Sequence, residues 1–168
     1  MSSTEELIHG VAAAVAVDPD GPLAGALILG PSGSGKSALV FALIDNCPWR
    51  RTALVADDAV LVSGRDGAIC ARAPERIKGL LEVRGVGPVK VRTVSYSRIV
   101  AGFDLAAPAE RLPEPERRVI AGCEGVALPL WPLAGGGAGA ARARLILRSI
   151  LGGQTPDCAH DRDDSKRT

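Results

Sequence analysis

Aromatic side chains are nearly absent from this sequence: phenylalanine, tyrosine and tryptophan together make up 3% of its 168 residues. Hydrophobic residues still account for 46%. The core therefore has to be built from valine, leucine, isoleucine and alanine. A chain of this length is long enough for one domain with a single core.

A surplus of charge of one sign is also lacking, because 20 lysines and arginines face 19 aspartates and glutamates. No overall field draws the protein to nucleic acid or to an anionic membrane, so we expect neither as a partner. The apolar run Val11 to Val17 is too short to span a membrane. Met1 to Gly10 has no basic region of the kind that begins a signal peptide. These features predict a cytoplasmic protein.

Cysteine is sparse and scattered, at Cys47, Cys70, Cys123 and Cys158. None of these residues forms a C-x-x-C pair, and no histidine stands at ligand spacing from them. The pattern argues against a zinc site and against a scaffold held by disulfides. It indicates reduced thiols in a cytosolic protein.

Short apolar runs alternate with turn signals and predict an α/β fold with a mixed sheet. The predicted strands are Gly10 to Val17, Gly25 to Gly30, Thr52 to Ala56, Ala59 to Ser63, Ala68 to Ala73, Arg98 to Leu105 and Val126 to Leu130. The first two are expected to be adjacent, and Ala59 to Ala73 is expected to form a hairpin around Gly64 to Gly67. Helical spacing of apolar residues predicts helices over Ser37 to Asn46 and Ala140 to Leu151.

The remaining segments are predicted to be less regular. Pro74 to Leu81 is expected to form one or two helical turns, and Val83 to Val94 a loop leading into a strand. Pro108 to Pro115 and the Gly/Ala-rich Ala134 to Gly139 are expected to be mobile. Residues 1 to 153 should form one domain, and the polar tail from Gln154 to Thr168 is expected to be disordered.

The most informative segment contains eight residues, Gly30-Pro31-Ser32-Gly33-Ser34-Gly35-Lys36-Ser37. It matches the phosphate-loop pattern G-x-x-x-x-G-K-[ST] at every fixed position, with a predicted strand before it and a predicted helix after it. Glycines let consecutive backbone N–H groups turn towards phosphate oxygens, and the helix N-terminus strengthens that anion site. Lys36 can reach the β- and γ-phosphates, and the Ser37 hydroxyl can bind Mg²⁺. The sequence therefore predicts a site for ATP and Mg²⁺.

Two aspartates, Asp57 and Asp58, follow the predicted strand that ends at Ala56. A nucleotide enzyme needs a carboxylate at such a position, to bind Mg²⁺ or to accept a proton. Because adjacent side chains on a strand point to opposite sides, the two aspartates are expected to have different roles. Alternatively, the pair only begins a turn.

A third feature lies in Gly79 to Gly87, where Glu82 and Arg84 precede two glycines. A carboxylate and a guanidinium two residues apart can share one face of an extended segment. Glu82 is suited to a metal and Arg84 to phosphate, which a guanidinium can bind through two hydrogen bonds. A surface ion pair beside a turn is the alternative.

In this order, the three features resemble the C-terminal catalytic domain of the HPr kinase/phosphorylase family. The match rests on Ile8 to Val11, Gly30 to Ser37, Val55 to Asp58 and Leu80 to Gly87, and it covers about Leu7 to Val94. The chain is most similar to the short, single-domain proteobacterial form. The resemblance implies a P-loop kinase core related to phosphoenolpyruvate carboxykinase. It also implies a hexamer that phosphorylates a serine of HPr, a phosphocarrier protein of the sugar phosphotransferase system.

The resemblance also implies roles for individual residues. Lys36 would contact the transferred phosphate, and Ser37, Glu82 and Asp58 would contact Mg²⁺. Asp58 would be the aspartate that takes the serine proton, with Asp57 supporting it. His9 would lie at the active site, although taken alone it is more typical of a surface histidine.

An arginine that follows the signature in the family corresponds to Arg111, with Arg118 as a competitor and a solvated helix face as the alternative for both. Family members commonly carry a Pro-Gly-Arg-Asn segment, which is tied to dephosphorylation. This chain has Pro132 to Gly139 there, without the arginine and the asparagine, so the forward reaction is favoured.

Two other functions stay open from the sequence. One is a regulator that binds nucleotide without transferring phosphate. The other is a small-molecule kinase, which would need a pocket or lid rich in arginine and aromatic residues; the low aromatic content speaks mildly against it.

Overall fold

The computed structural model describes residues 4–108, 111–135 and 137–152. Their fold is α/β, with a mixed and curled sheet, as predicted. The strands are β1 (Glu6–His9), β2 (Val11–Val15), β3 (Ala24–Leu29), β4 (Ala53–Ala56), β5 (Ala59–Arg65), β6 (Ala68–Arg72), β7 (Leu80–Val83), β8 (Gly87–Lys90), β9 (Tyr96–Asp104), β10 (Glu116–Val119) and β11 (Ala127–Pro132). The helices are α1 (Lys36–Asp45) and α2 (Gly137–Leu151), and a 3₁₀ turn spans Glu75–Ile77.

The main sheet has the order β1-β5-β6-β9-β3-β2-β4, and β11 also pairs with β9, on the side away from β3. Strand β9 is parallel to β3 and β11 and antiparallel to β6. The register of β3 and β9 places Leu29 beside Asp104, so both strands end at the same edge. In open α/β sheets, ligands bind outside the carboxyl ends of such strands. This edge is therefore the place to look for a site.

The two helices pack together on one face of the sheet. Helix α1 buries Leu39, Val40 and Leu43, while α2 buries residues including Ala143 and Leu147. Each set recurs at helical spacing, so each helix presents one apolar stripe to the sheet. Replacing a fully buried leucine such as Leu43 by alanine would cost about 2–5 kcal/mol. The opposite face of the sheet holds a second apolar cluster that includes Leu27, Val55 and Ile69.

Helix α2 is also attached through two arginines. The Arg144 guanidinium donates from Nε to the Ala16 carbonyl (3.1 Å) and from an Nη atom to the Leu43 carbonyl (2.6 Å). Arg148 donates to the Val17 carbonyl at 2.9 Å. Because strands and helices end with unpaired carbonyls, these contacts satisfy acceptors at the end of β2 and in the last turn of α1.

Several predicted elements are confirmed. Strands β2 and β3 are adjacent and antiparallel, and β5 and β6 form the expected hairpin. The hairpin turn is shorter than predicted, because Gly64 and Arg65 belong to β5. Both predicted helices are present. The helical turn predicted within Pro74 to Leu81 is present, as the 3₁₀ turn Glu75–Ile77.

Other predictions were wrong. Val83 to Val94 is not a loop leading into a strand: β7 and β8 form a separate two-stranded hairpin there. Strand β10 was not predicted, and it places Arg118 on a strand rather than on a helix. Helix α2 already begins at Gly137. The predicted disordered tail lies outside the described residues, as do Ala109, Glu110 and Gly136 of the segments expected to be mobile.

No helix in the described part of the chain is both long enough and apolar enough to cross a membrane.

Candidate active site

The phosphate loop connects β3 to α1 at the carboxyl edge of the sheet. Gly33 and Gly35 have φ values of 79° and 94°, in the left-handed region that favours glycine. Gly35 directly precedes α1, so the backbone turns just where the helix begins. The sequence thus supplies glycine where the loop needs positive φ and ends it at the positive end of a helix dipole.

Lys36 is the buried cation of the loop, with 7% of its surface exposed. Its ammonium group donates to the carbonyls of Gly30 (2.8 Å) and Pro31 (2.9 Å). Both acceptors belong to the loop itself and lie only five or six residues away. An ammonium group held over the loop by neutral acceptors keeps its full charge available for an incoming phosphate.

Asp57 forms hydrogen bonds with the phosphate loop and with the segment that carries Glu82, so it connects the three sequence motifs. Its Oδ1 accepts a hydrogen bond from the Ser37 hydroxyl at 2.7 Å, and its Oδ2 accepts one from the Glu82 backbone N–H at 2.9 Å. The residue is buried, so both carboxylate oxygens are fixed by these partners. The first residue of the pair therefore faces the loop and the signature segment.

Asp58 points elsewhere. Its φ of 65° is left-handed, and its carbonyl accepts a hydrogen bond from the Gly10 N–H at 3.1 Å. The side chain is 81% exposed and lies 3.4 Å from Nδ1 of His9. The structure thus confirms that the two aspartates are turned to different surroundings. It also brings Asp57, rather than Asp58, to Ser37.

The signature segment enters the site as the hairpin of β7 and β8. Leu81 is fully buried in the core beneath α1, so its neighbour Glu82 is turned to the exposed side. Arg84 follows β7, and its guanidinium lies 3.6 Å from the point where a Cβ on Gly33 would stand. The Arg84 guanidinium therefore lies at the loop, and the Glu82 backbone is joined to the loop through Asp57.

Ser37 and Asp57 provide oxygen ligands suited to Mg²⁺, but too few to bind the ion alone. A serine hydroxyl and a carboxylate 2.7 Å apart are hard oxygen ligands of the kind Mg²⁺ takes beside substrate phosphates. Within residues 4–108, 111–135 and 137–152, no group of three or more histidine, cysteine, aspartate or glutamate side chains could hold a metal ion. An ion here would thus depend on nucleotide oxygens and water for its other ligands.

Residues 2–101 match the family model described as HPr Serine kinase C-terminal domain. The chain belongs to this family. It is 42% identical over 90 residues to the HPr kinase/phosphorylase of Clostridium beijerinckii, covering 54% of this chain and 26% of that protein. It is 46% identical over 71 residues to that of Bordetella pertussis, covering 42% and 22%. The chain thus spans about a quarter of the length of these curated relatives.

The fold of this HPr kinase family domain is similar to a solved structure, described as the Hpr(Ser) kinase/phosphatase from Coxiella burnetii. The TM-score is 0.70 at 19% sequence identity, over 88% of this chain and 97% of that one. At this identity the likeness concerns the fold.

The two candidate arginines have different surroundings in the structure. Arg111 is exposed and forms no hydrogen bond or ion pair with the described residues. Arg118 lies 3.1 Å from Glu116 and 3.9 Å from Asp104. Arg118 therefore lies beside Asp104, at the edge of the sheet where the phosphate loop begins.

Sequence reasoning missed Asp104. It ends β9 beside Leu29, the residue before Gly30, and its side chain is 19% exposed. An aspartate at the end of an apolar strand is a signal that could have identified it, much as the aspartate following β4 was identified. Gly135 also lies at the loop, because a Cβ there would stand 3.8 Å from the Ser34 carbonyl. The segment without the family's arginine and asparagine thus contacts the phosphate loop.

Proposed function

We propose that this domain is an ATP- and Mg²⁺-dependent kinase that phosphorylates a serine of an HPr-type phosphocarrier protein. Asp57 carries the proposal, because a single buried carboxylate bonds the loop serine and the signature segment together. A glycine-rich turn without function would not need this connection. The names of the curated relatives support the choice of substrate.

The phosphate loop would hold the triphosphate, and Lys36 would exchange its two loop carbonyls for β- and γ-phosphate oxygens. Ser37, Asp57 and Glu82 would hold Mg²⁺, which supplies charge neutralisation between the phosphates. Arg84 would contact a phosphate from the hairpin, since its guanidinium already lies beside Gly33.

Asp58 would take the proton of the incoming serine. The serine oxygen forms the new bond to the γ-phosphorus while the bond from that phosphorus to the β–γ bridging oxygen breaks, which releases ADP. His9, 3.4 Å from the Asp58 carboxylate, would orient it. The exposure of Asp58 suits this role, because a protein substrate has to reach it from solvent.

The test uses the chain, γ-labelled ATP and a purified HPr-type phosphocarrier. We expect label on a serine of the carrier and none on a carrier with that serine replaced by alanine. Asp58→Asn should lower transfer by about 10²–10⁴-fold, as loss of a general base does. ATP affinity should change by less than about twofold, because the carboxylate bonded to the loop serine is that of Asp57 and not that of Asp58.

Asp66→Asn is the matched control, since Asp66 also has a left-handed φ, of 50°, at the distant β5–β6 turn. Asparagine tolerates this conformation, so both variants keep the backbone. Near-normal transfer in Asp58→Asn would remove the proposed base. ATP binding without transfer to any carrier would favour the regulator, and transfer to a small molecule would favour the small-molecule kinase.

We further propose that the forward reaction is the working direction and that the protein acts in the cytoplasm as a homo-oligomer. The direction rests on Gly135, which lies at the loop in a segment without the family's arginine and asparagine. Incubating the phosphorylated carrier with inorganic phosphate should remove little of its phosphoryl group as pyrophosphate, the product formed when inorganic phosphate attacks the phosphoserine. Release at a rate comparable to the forward reaction would contradict this direction.

A further inference from the structure

Two buried side-chain polar atoms have no hydrogen-bond partner within the described part of the chain, the Ser34 Oγ and the Trp131 Nε1. Buried polar groups are nearly always paired, so an unpaired one needs a physical reason. The Trp131 ring lies in the core cluster beneath the two helices. Ser34 belongs instead to the phosphate loop, and the proposed phosphate contacts do not use its side chain.

The Ser34 hydroxyl lies against the backbone of Gly30, the first residue of the same loop. A Cβ on Gly30 would stand 2.6 Å from the Ser34 Oγ, so the lack of a side chain at Gly30 provides the space that this hydroxyl occupies. The Cβ and the carbonyl carbon of a residue are bonded to the same Cα. The hydroxyl is therefore a close neighbour of the Gly30 carbonyl, and its O–H can rotate towards an acceptor.

The carbonyls of Gly30 and Pro31 depend on Lys36 to different degrees. The Pro31 carbonyl accepts two hydrogen bonds, from the Lys36 ammonium at 2.9 Å and from the Ser34 backbone N–H at 3.1 Å. The Gly30 carbonyl accepts one from Lys36 at 2.8 Å, and no other donor in the described ranges bonds it. When Lys36 turns to a phosphate, Pro31 would thus keep a donor and Gly30 would lose its single one.

We propose that Ser34 is a positioning residue, whose hydroxyl donates to the Gly30 carbonyl once Lys36 turns from this carbonyl to nucleotide phosphate. Both loop carbonyls then stay paired in the free and in the bound protein, and the hydroxyl is unpaired in the free protein alone. Bound phosphates cover the loop and exclude water, so no solvent donor replaces the hydroxyl there. The inference rests on the ATP binding of the proposed function, but it needs no phosphocarrier.

Ser34→Ala should therefore act in opposite directions on the free and on the nucleotide-bound protein. In the free protein it removes a buried hydroxyl without a partner, so the urea midpoint should stay or rise. In the bound protein it leaves the Gly30 carbonyl without a donor, so affinity for Mg²⁺-ATP should fall about three- to tenfold. Urea unfolding and calorimetric titration of the full chain measure the two quantities. A lower urea midpoint with unchanged affinity would show a structural role and overturn the inference.

Ser97→Ala is the matched control. Ser97 is also a buried serine, and its hydroxyl makes only a 3.5 Å contact, with the Arg98 carbonyl. It lies near the start of β9, whereas the phosphate loop is at the carboxyl end of that strand. We expect affinity for Mg²⁺-ATP to change by less than about twofold in this variant, because distant sites act independently. An equal loss of affinity in the two variants would overturn the role of Ser34.

The dependence on Lys36 is tested in the free protein, without nucleotide. In Lys36→Met no ammonium bonds the Gly30 carbonyl, so the Ser34 hydroxyl should donate to it already. Adding Ser34→Ala to Lys36→Met should then lower the urea midpoint, whereas the same change in the wild type should not. Equal shifts in the two backgrounds would show that Ser34 acts independently of Lys36, which contradicts the inference.

The role of Ser34 and the proposed kinase function fail in different ways. Normal transfer to the phosphocarrier with unchanged ATP affinity in Ser34→Ala would overturn the role of Ser34 and leave the kinase. Weaker ATP binding by Ser34→Ala, in a protein that transfers phosphate to no carrier, would contradict the kinase and support the role of Ser34.

Discussion

Among the described residues, two buried cations are held by backbone carbonyls, and the two differ in how far along the chain those carbonyls lie. Lys36 is 7% exposed and bonds Gly30 and Pro31, within its own loop. Arg144 is 9% exposed and bonds Ala16 and Leu43, which are 128 and 101 residues away in sequence. Local acceptors on an exposed loop can be exchanged for a ligand, whereas distant acceptors in a core connect elements permanently. The first arrangement suits binding and the second suits stability.

Replacing Arg144 should have the largest effect. Arg144→Met keeps the volume of the side chain but leaves two buried carbonyls without donors, so we expect unfolding free energy to fall by about 2–4 kcal/mol. Urea unfolding followed by circular dichroism measures it. Arg142→Met on the same helix is the control and should change stability by less than about 0.5 kcal/mol. A loss at Arg144 no larger than at Arg142 would contradict the proposed anchoring.

Lys36→Met should weaken nucleotide binding while leaving the stability of the fold nearly unchanged. Its former acceptors lie in an exposed loop and can turn to water, so unfolding free energy should fall by less than about 1 kcal/mol. Affinity for Mg²⁺-ATP should fall about one hundredfold, equivalent to about 2.7 kcal/mol. Calorimetric titration and urea unfolding measure the two values. A larger loss of stability than of affinity would remove the difference between Lys36 and Arg144.

The surroundings of Arg144 can also be tested through the pH dependence of stability, because the thiol of Cys47 acts on its charge. Cys47 is buried just after the end of α1. Burial would raise the pKa of its thiol, but hydrogen bonds from the Thr52 hydroxyl and from nearby backbone lower this pKa to about 7. Burial lowers the pKa of Arg144, and the charge of Cys47 opposes that change. The unfolded thiol titrates near 9. Stability should therefore increase from pH 7 to pH 9, by up to about 2.7 kcal/mol.

Urea unfolding at several pH values measures this slope. Cys47→Ala should flatten it, because the thiolate favoured in the folded state is gone. Cys123→Ala should not, since burial raises the pKa of that thiol. Parallel slopes in the wild type and in Cys47→Ala would show that another group is responsible.

The smallest effect is expected at Arg148. It makes one hydrogen bond, to the Val17 carbonyl, and its side chain is exposed. Arg148→Met should lower unfolding free energy by about 1 kcal/mol, because water can replace the lost donor. A loss equal to that of Arg144→Met would show that burial of the acceptors does not decide the difference between the two arginines.

Local features explain why so much of the site was predictable. The phosphate loop and the Asp57-Asp58 pair are short segments that directly follow apolar strands. Binding phosphate and Mg²⁺ requires glycine, lysine and carboxylate at fixed spacings within such short segments, so the sequence alone reveals them. Strand alternation predicted different surroundings for the two aspartates, although both lie just after the end of β4. Which of them bonds Ser37 depends on the left-handed φ of Asp58, and that angle could not be derived from the sequence.

The errors fall where long-range packing decides the structure. The glycines within Val83 to Val94 indicated a loop, but the hairpin needs them for positive φ at Gly85 and Gly87. Helix α2 extends into a glycine-rich stretch because it packs closely against α1: a Cβ on Gly139 would stand 3.3 Å from Leu39. Helix propensity disfavours glycine, and the tertiary contact outweighs it there.

The position of β9 has a consequence for the order in which the molecule can be assembled. Strand β3, which leads into the phosphate loop, pairs with β2 on one side and with β9 on the other. Strand β6 likewise pairs with β5 and with β9. During synthesis, residues 30–37 are therefore made long before residues 96–104 can close the sheet beside them. Pairings so distant in sequence form late and slowly. A newly made chain thus exposes its apolar strands until β9 arrives, and this interval is the one in which it is most prone to aggregate.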